Sequence, residues 1–202
     1  MKLYTSVGPN PRVVTMFMAE KGITLDMVTV DIRGGENRQE AFLKVNPSGQ
    51  SPSLELDDGS NLNEITAICE YLDEKNPGAS LIGATAEERA VTRMWTRRVD
   101  LKVCEPLANG FRFGEGLPMF QGRMRCLPDA SPGLKAIAQD GIQWFENNFQ
   151  GPWLAGDRFT LADVLLFCFL AFGAQVGQPI PDEAGNVRAW FERTKARPSA
   201  AA

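Results

Sequence analysis

The 202-residue chain contains no histidine. That removes the commonest general base, the commonest zinc ligand and any nucleophile activated by an imidazole. Its four cysteines, Cys69, Cys104, Cys126 and Cys168, form no CxxC pair and leave the first 68 residues without a thiol. They are expected to be free thiols acting as small hydrophobes, and no metal site is expected. No run of 18 apolar residues is present, so no membrane span is expected. The formal net charge is −4, which argues against a nucleic-acid partner, because a phosphate backbone rewards a basic face. The opening MKLYTSVGPN lacks the apolar core of a secretory signal, so the cytoplasm is the expected location.

What is there is an ordinary globular composition, 44% hydrophobic and 23% charged, in a chain long enough to bury a core without disulfides or metal. KLYT reads as a short strand. After it, Val14, Phe17 and Met18 recur at helical spacing. Asn10 suits a helix N-cap, Pro11 the first helical position and Gly22 the C-cap, so this helix is predicted to begin at residue 10 or 11. Val28, Val30 and Ile32 alternate as in a strand. RGGENRQEAF reads as a loop entering a short helix. Leu54 and Leu56 alternate before the turn DDGS, as in a hairpin. Asn63 is predicted to cap a helix whose buried stripe is Ile65, Ile68, Cys69 and Leu72.

The order β-α-β-α-β-β-α fills about 75 residues, a small-domain length. Everything beyond NPGASLIGAT reads as helical, and TLADVLLFCFLAFGAQV is apolar enough to be central. Thr160 and Asp163 make an acidic variant of the capping box before it. Residues 105–132, rich in proline and glycine, resist assignment. The predicted organisation is an α/β domain over residues 1–76, a linker over 77–85 and an all-α domain over 86–202.

Four segments together resemble the glutathione transferases: LYTSVGPNPRVVTMFMAEKGI, NPSGQSPSLELDDGSNLNEITAICEYLDE, WLAGDRFTLADVLLF and VRAWFERTKARPS. The resemblance implies a thioredoxin-like N-terminal domain, an all-helical C-terminal domain, a homodimer and glutathione as cosubstrate. It implies that Ser51-Pro52 is the dipeptide with a cis proline, presenting the backbone of Ser51 to the cysteinyl part of glutathione as an added strand would. Gln50 would hydrogen-bond the tripeptide, Glu64 would take the γ-glutamyl ammonium, and the N–H groups of Ile65 and Thr66 would take its carboxylate. The helix bearing Met94, Trp95, Arg97 and Arg98 would border the electrophile pocket and the dimer interface. Met94, Arg98 and Phe111 are the candidate pocket residues, and Phe113, Met119 and Phe120 could form a lid with Phe111 or pack on the helical core.

Two departures from the family pattern stand out. Ile65 occupies the position of a usual serine, a lost hydroxyl contact worth about 0.5–1.5 kcal/mol. Gly8 stands where many members carry a serine, threonine or cysteine. What remains is Pro9-Asn10, as in a bacterial subgroup whose asparagine touches the glutathione sulfur. A free thiol ionises near pH 8.5, and lowering that by two units takes about 2.7 kcal/mol. Asn10, with the N–H groups of Arg12 and Val13 at the helix end, is one source of that stabilisation. The hydroxyl of Ser6 is a rival, and Tyr4 a weaker one because it falls inside the strand. Asn10 can also serve only as a cap, and Ser6 only as a loop hydroxyl. The leading expectation is a transferase that conjugates glutathione to small apolar electrophiles. The alternatives are a glutathione-dependent disulfide or peroxide reductase, and a noncatalytic glutathione-binding protein.

Overall fold

The structure, a computed structural model, describes residues 1–202. The chain forms two units, one of residues 1–81 with 198–202 and one of residues 82–197. The turn Pro198–Ala201 thus packs with the first unit, although the sequence grouped it with the helical part. No helix is long and apolar enough to cross a membrane.

In the first unit, β1 (Lys2–Thr5), β2 (Asp26–Thr29), β3 (Ser53–Glu55) and β4 (Asn61–Asn63) form one sheet in the order β2-β1-β3-β4. β1 and β2 run parallel, which requires a crossover, and α1 (Pro9–Lys21) supplies it. The remaining pairs are antiparallel, with Leu3 opposite Leu54 and Leu54 opposite Leu62. Leu3 and Leu54 are fully buried, as are Val13, Val14, Met16 and Phe17 of α1. Ile68, Cys69 and Leu72 of α3 (Ile65–Lys75) complete that core. Tyr4, next to Leu3, points to the opposite face. There its ring meets Phe42 of α2 (Glu40–Val45) edge-on at 6.1 Å, so α2 covers the other side of the sheet. The strand pattern of Val28, Val30 and Ile32 translates into an edge strand: β2 ends at Thr29 and is exposed along its length.

Gly22 ends α1 in the left-handed conformation (φ 65°), and Ile23 N–H reaches back to Met18 O at 2.9 Å. The last residue of α1, Lys21, forms a buried ion pair with Asp73 of α3 at 3.0 Å. Asp73 also accepts from Ser80 Oγ at 2.5 Å and from the N–H of Leu81 at 3.0 Å, tying down the chain as it leaves the unit.

The second unit begins with α4 (Ala86–Val99), capped by Thr85, whose side chain accepts from the N–H of Glu88. The helix continues through a π-helical turn, Asp100–Cys104, into α5 (Glu105–Phe113). After α6 (Leu117–Phe120) come α7 (Ser131–Asn148), α8 (Leu161–Gln175) and α9 (Gly185–Lys195). The segment that resisted assignment is therefore largely helical. Every residue of α8 from Leu161 to Leu170 is buried, as a helix apolar all round must be. The Thr160/Asp163 capping box forms. Asp163 accepts from the N–H of Thr160 through one oxygen, and from Leu154 N–H and the Trp190 indole N–H through the other. Cys69, Cys104 and Cys168 are buried and Cys126 is partly exposed. Burial holds the Cys104 thiol well above the usual range, which makes it unreactive.

Candidate active site

The sheet register brings three separate segments to one end of the first unit. Tyr4 pairs with Ser53 and Ser53 with Asn63. Continuing those antiparallel ladders sets the loop after β1 (Ser6), the residues before β3 (Ser51 and Pro52) and the start of α3 (Glu64 and Ile65) side by side. β1 and β4 are two strand spacings apart, about 10 Å. An extended tripeptide reaches about the same distance.

The beginning of α1 differs from the sequence expectation. The helix starts at Pro9, and its N-cap is Gly8, which has no side chain to cap with. Asn10 therefore lies inside the first turn and does not cap it. The N–H of Arg12 is turned into the helix, bonded to Gly8 O at 3.4 Å, and that of Val13 belongs to the next intrahelical bond. Neither is a free donor. Pro9 and Pro11 have no N–H, so the first turn offers one backbone donor, that of Asn10, beside the Asn10 side-chain amide. Prolines are tolerated this early because the first N–H groups have no helical partner anyway. Gly8 has φ 122°, a conformation that L side chains rarely adopt, although a Cβ there would meet nothing within 4 Å. Its backbone shape, and not a lack of space, disfavours a serine or cysteine at this position.

Ser6 donates to the neighbouring Val7 carbonyl at 3.3 Å. Tyr4 donates to Glu55 at 2.8 Å, and that bond raises the phenol above its ordinary range. Its hydroxyl is committed to β3.

The start of α3 has the opposite character. Its N-cap is Glu64, not Asn63, which ends β4. Glu64 has φ 71°, and no other non-glycine residue in the chain has a positive φ. Such a conformation costs roughly 1–3 kcal/mol and persists only where its surroundings impose it. The first helical bond runs from Ile68 N–H to Glu64 O, which leaves the N–H groups of Ile65, Thr66 and Ala67 as orphan donors. Three such donors at the positive end of a helix suit an anion.

Between these two helix starts lies the loop carrying Gln50, Ser51 and Pro52, with a cis Ser51–Pro52 bond. Two buried asparagines that the sequence reading did not single out shape it. Asn37 Nδ2 donates to Gly49 O at 2.6 Å and Asn46 Nδ2 to Gln50 O at 2.8 Å. Their signal in the sequence was only composition, since a buried amide and an exposed one are written alike. The Gln50 side chain is exposed, and Ser51 Oγ is buried without a protein partner.

The three candidate pocket residues of the second unit fall in two places. Met94 and Arg98 line an open, mostly apolar groove of about 760 Å³ between α4 and α7, with Leu101, Lys102, Ile137 and Trp144. The Arg98 guanidinium carbon lies 4.9 Å from the Trp95 ring and 5.5 Å from that of Trp144. Phe111 does not line this groove. It packs edge-on against Phe120 at 6.1 Å and Phe172 at 5.2 Å.

Comparison with known proteins agrees with this architecture. The family description "Glutathione S-transferase, N-terminal domain" matches residues 7–75, and "Glutathione S-transferase, C-terminal domain" matches residues 129–198. Glutathione S-transferase 2 of Saccharomyces cerevisiae is 32% identical over 203 residues, covering 96% of this chain and 85% of the yeast protein. Maleylacetoacetate isomerase of Pseudomonas aeruginosa is 38% identical over 173 residues, covering 82% and 78%. The crystal structure of a glutathione S-transferase domain-containing protein from Marinobacter aquaeolei superposes with a TM-score of 0.93 at 37% identity, covering 98% and 99%. A mixed β–α unit ending in a helix with free N–H groups, followed by an all-helical unit, and matched along nearly its whole length by such relatives, belongs to the glutathione S-transferase superfamily.

Proposed function

We propose that the chain binds glutathione at the sheet end of its first unit and delivers the thiolate to a small apolar electrophile. The observation that carries this reading is the start of α3, whose Ile65, Thr66 and Ala67 N–H groups have no helical partner, beside a strand two spacings, about 10 Å, from β1, a distance one tripeptide can span. The γ-glutamyl carboxylate is taken by the N–H groups of Ile65 and Thr66, and its ammonium by Glu64. Gln50 and the backbone of Ser51 hold the cysteinyl and glycyl part as an added strand. The sulfur then faces the first turn of α1.

Asn10 is the donor to that sulfur. Its N–H and its side-chain amide are two neutral donors to an anion, each worth about 1.5–3 kcal/mol. Together they cover the roughly 2.7 kcal/mol needed to bring a thiol from pH 8.5 to 6.5. Ser6, turned to Val7, is a lesser contributor. Catalysis is then positioning plus thiolate stabilisation, with glutathione as the nucleophile. Exposed Met94, Leu101 and Ile137, with cationic Arg97, Arg98 and Lys102 across from Asp140, support a homodimer closed over the α4–α7 groove. The reading keeps the protein in the cytoplasm, where glutathione is abundant and reduced.

The test is the thiolate absorbance of bound glutathione against pH, with turnover of a chromogenic aryl halide. Asn10→Ala should raise the apparent thiol pKa by one unit or more, roughly the loss of one charge-assisted bond. An unchanged pKa would remove Asn10 from the mechanism. The 38% identity to an isomerase favours a second reading, in which the same thiolate adds to an unsaturated diacid, allows bond rotation and departs unchanged. Isomerisation without net glutathione consumption would select it. Turnover of a hydroxyethyl disulfide without either activity would select a reductase.

A further inference from the structure

The first turn of α1 is poorly closed by its own backbone. Pro9 and Pro11 contribute no N–H, Gly8 is an unbranched cap at φ 122°, and the bond that should lock the turn, Arg12 N–H to Gly8 O, is long at 3.4 Å. A donor that must stand ready for a sulfur needs a firmer hold than this, because a loose donor loses its advantage to reorganisation. The hold comes from a distant part of the sequence. The turn Pro198–Ala201 lies against α1, with Ser199 and Ala200 both buried. The Arg12 guanidinium donates to Ala200 O at 2.9 Å across 188 positions of sequence, and the Ser199 hydroxyl donates to Glu20 two turns further along the same helix.

We propose that Arg12 is a positioning residue and that the turn Pro198–Ala201 is a clamp on α1, which together fix the Asn10 amide for the bound thiol. This rests on the reading of glutathione as the ligand. Helical geometry supports an indirect role. Arg12 follows Asn10 by two residues, about 200° around the axis, so its side chain leaves the helix on nearly the opposite side. It grips the first turn from behind while Asn10 faces forward. The helix is thereby anchored at Arg12 and at Glu20, and its active end cannot unwind without breaking the contact to Ala200.

The experiment compares the full chain, a chain ended at Arg197, Arg12→Met, Arg12→Lys, and Arg12→Met in the shortened chain. Each is measured for the apparent pKa of the bound glutathione thiol and for its melting temperature. Shortening the chain removes the clamp but keeps the Arg12 charge, so it separates positioning from simple electrostatics. Shortening and Arg12→Met should each raise the thiol pKa by about half a unit or more, and the combination should add nothing further. Arg12→Lys should restore part of the shift, since an ammonium can still donate to Ala200 O. Lower melting temperatures with an unmoved thiol pKa would overturn the proposal and leave the contact purely structural. Additive shifts would also overturn it, because they would make the two elements independent. If the shortened chain does not fold, the Arg12→Met and Arg12→Lys pair decides. A full chain that binds glutathione without lowering its pKa would instead sink the underlying thiolate reading, which is a different result.

Discussion

Trp190 donates its indole N–H to Asp163 at 2.9 Å, and the same carboxylate oxygen takes the N–H of Leu154. One buried acid thus joins the start of α8, the segment before it and α9. Burial pushes its carboxyl up from 3.8 to about 6, while the hydrogen bonds to Leu154, Trp190 and Thr160 pull the other way. The folded protein therefore holds this proton more tightly than the unfolded chain. The group's contribution is fully present below pH 3.8 and is lost as the pH rises through about 6. The span corresponds to about 3 kcal/mol. The stability of the wild-type protein minus that of Asp163→Asn, followed by urea unfolding, should fall by about this amount from pH 3 to pH 7. A flat difference would show that the carboxyl titrates as in the unfolded chain.

Lys21→Met should be costly. It leaves Asp73 buried with Ser80 and Leu81 as partners but no countercharge, and removing one partner of a buried pair costs about 3–5 kcal/mol. Lys21→Met with Asp73→Leu should recover much of this, since an apolar pair of similar volume escapes the desolvation penalty. Denaturant midpoints of the single and double variants check it, and a double variant no better than the single one would contradict it.

Glu64→Gly should separate stability from binding. The change relieves a positive φ of about 1–3 kcal/mol but adds chain entropy of about 0.5–1 kcal/mol, for a net gain near 1 kcal/mol. The same change deletes the carboxylate proposed to hold the γ-glutamyl ammonium. Calorimetric affinity for glutathione should drop about tenfold or more, the worth of one charged hydrogen bond. Tighter binding or a lower melting temperature would count against this account of the residue.

Gly141 of α7 passes directly over the π-helical turn. A Cβ there would lie 2.0 Å from the Lys102 carbonyl oxygen, a backbone atom that cannot swing aside. Gly141→Ala should destabilise the helical unit by roughly 1–3 kcal/mol or more, read as a lower thermal midpoint. The control is Gly133→Ala on the same helix, where the added methyl meets nothing within 4 Å. Equal effects at the two positions would refute the close approach.

What the sequence determined by itself was whatever depends on neighbours within a turn or two of chain. Apolar spacing in TLADVLLFCFLAFGAQV marked a buried helix, Thr160 and Asp163 marked its cap, and Gly22 marked the end of α1. Each is a contact across three to six residues, so residue type and spacing carry the physics. The cis Ser51–Pro52 bond was legible through family resemblance, because the residues around it occur in a recognisable order. Tertiary structure alone decided the rest. It drew α1 back to Pro9, which took Arg12 and Val13 out of the donor set, since prolines allow several starts and packing selects one. It gave Glu64 a positive φ, because the chain must turn sharply from β4 into α3. It parted Phe111 from Met94 and Arg98, whose facing depends on how α4, α5 and α7 cross. It also brought Ala200 to Arg12, a hydrogen bond between a backbone oxygen and a side chain 188 positions away, which no local pattern encodes.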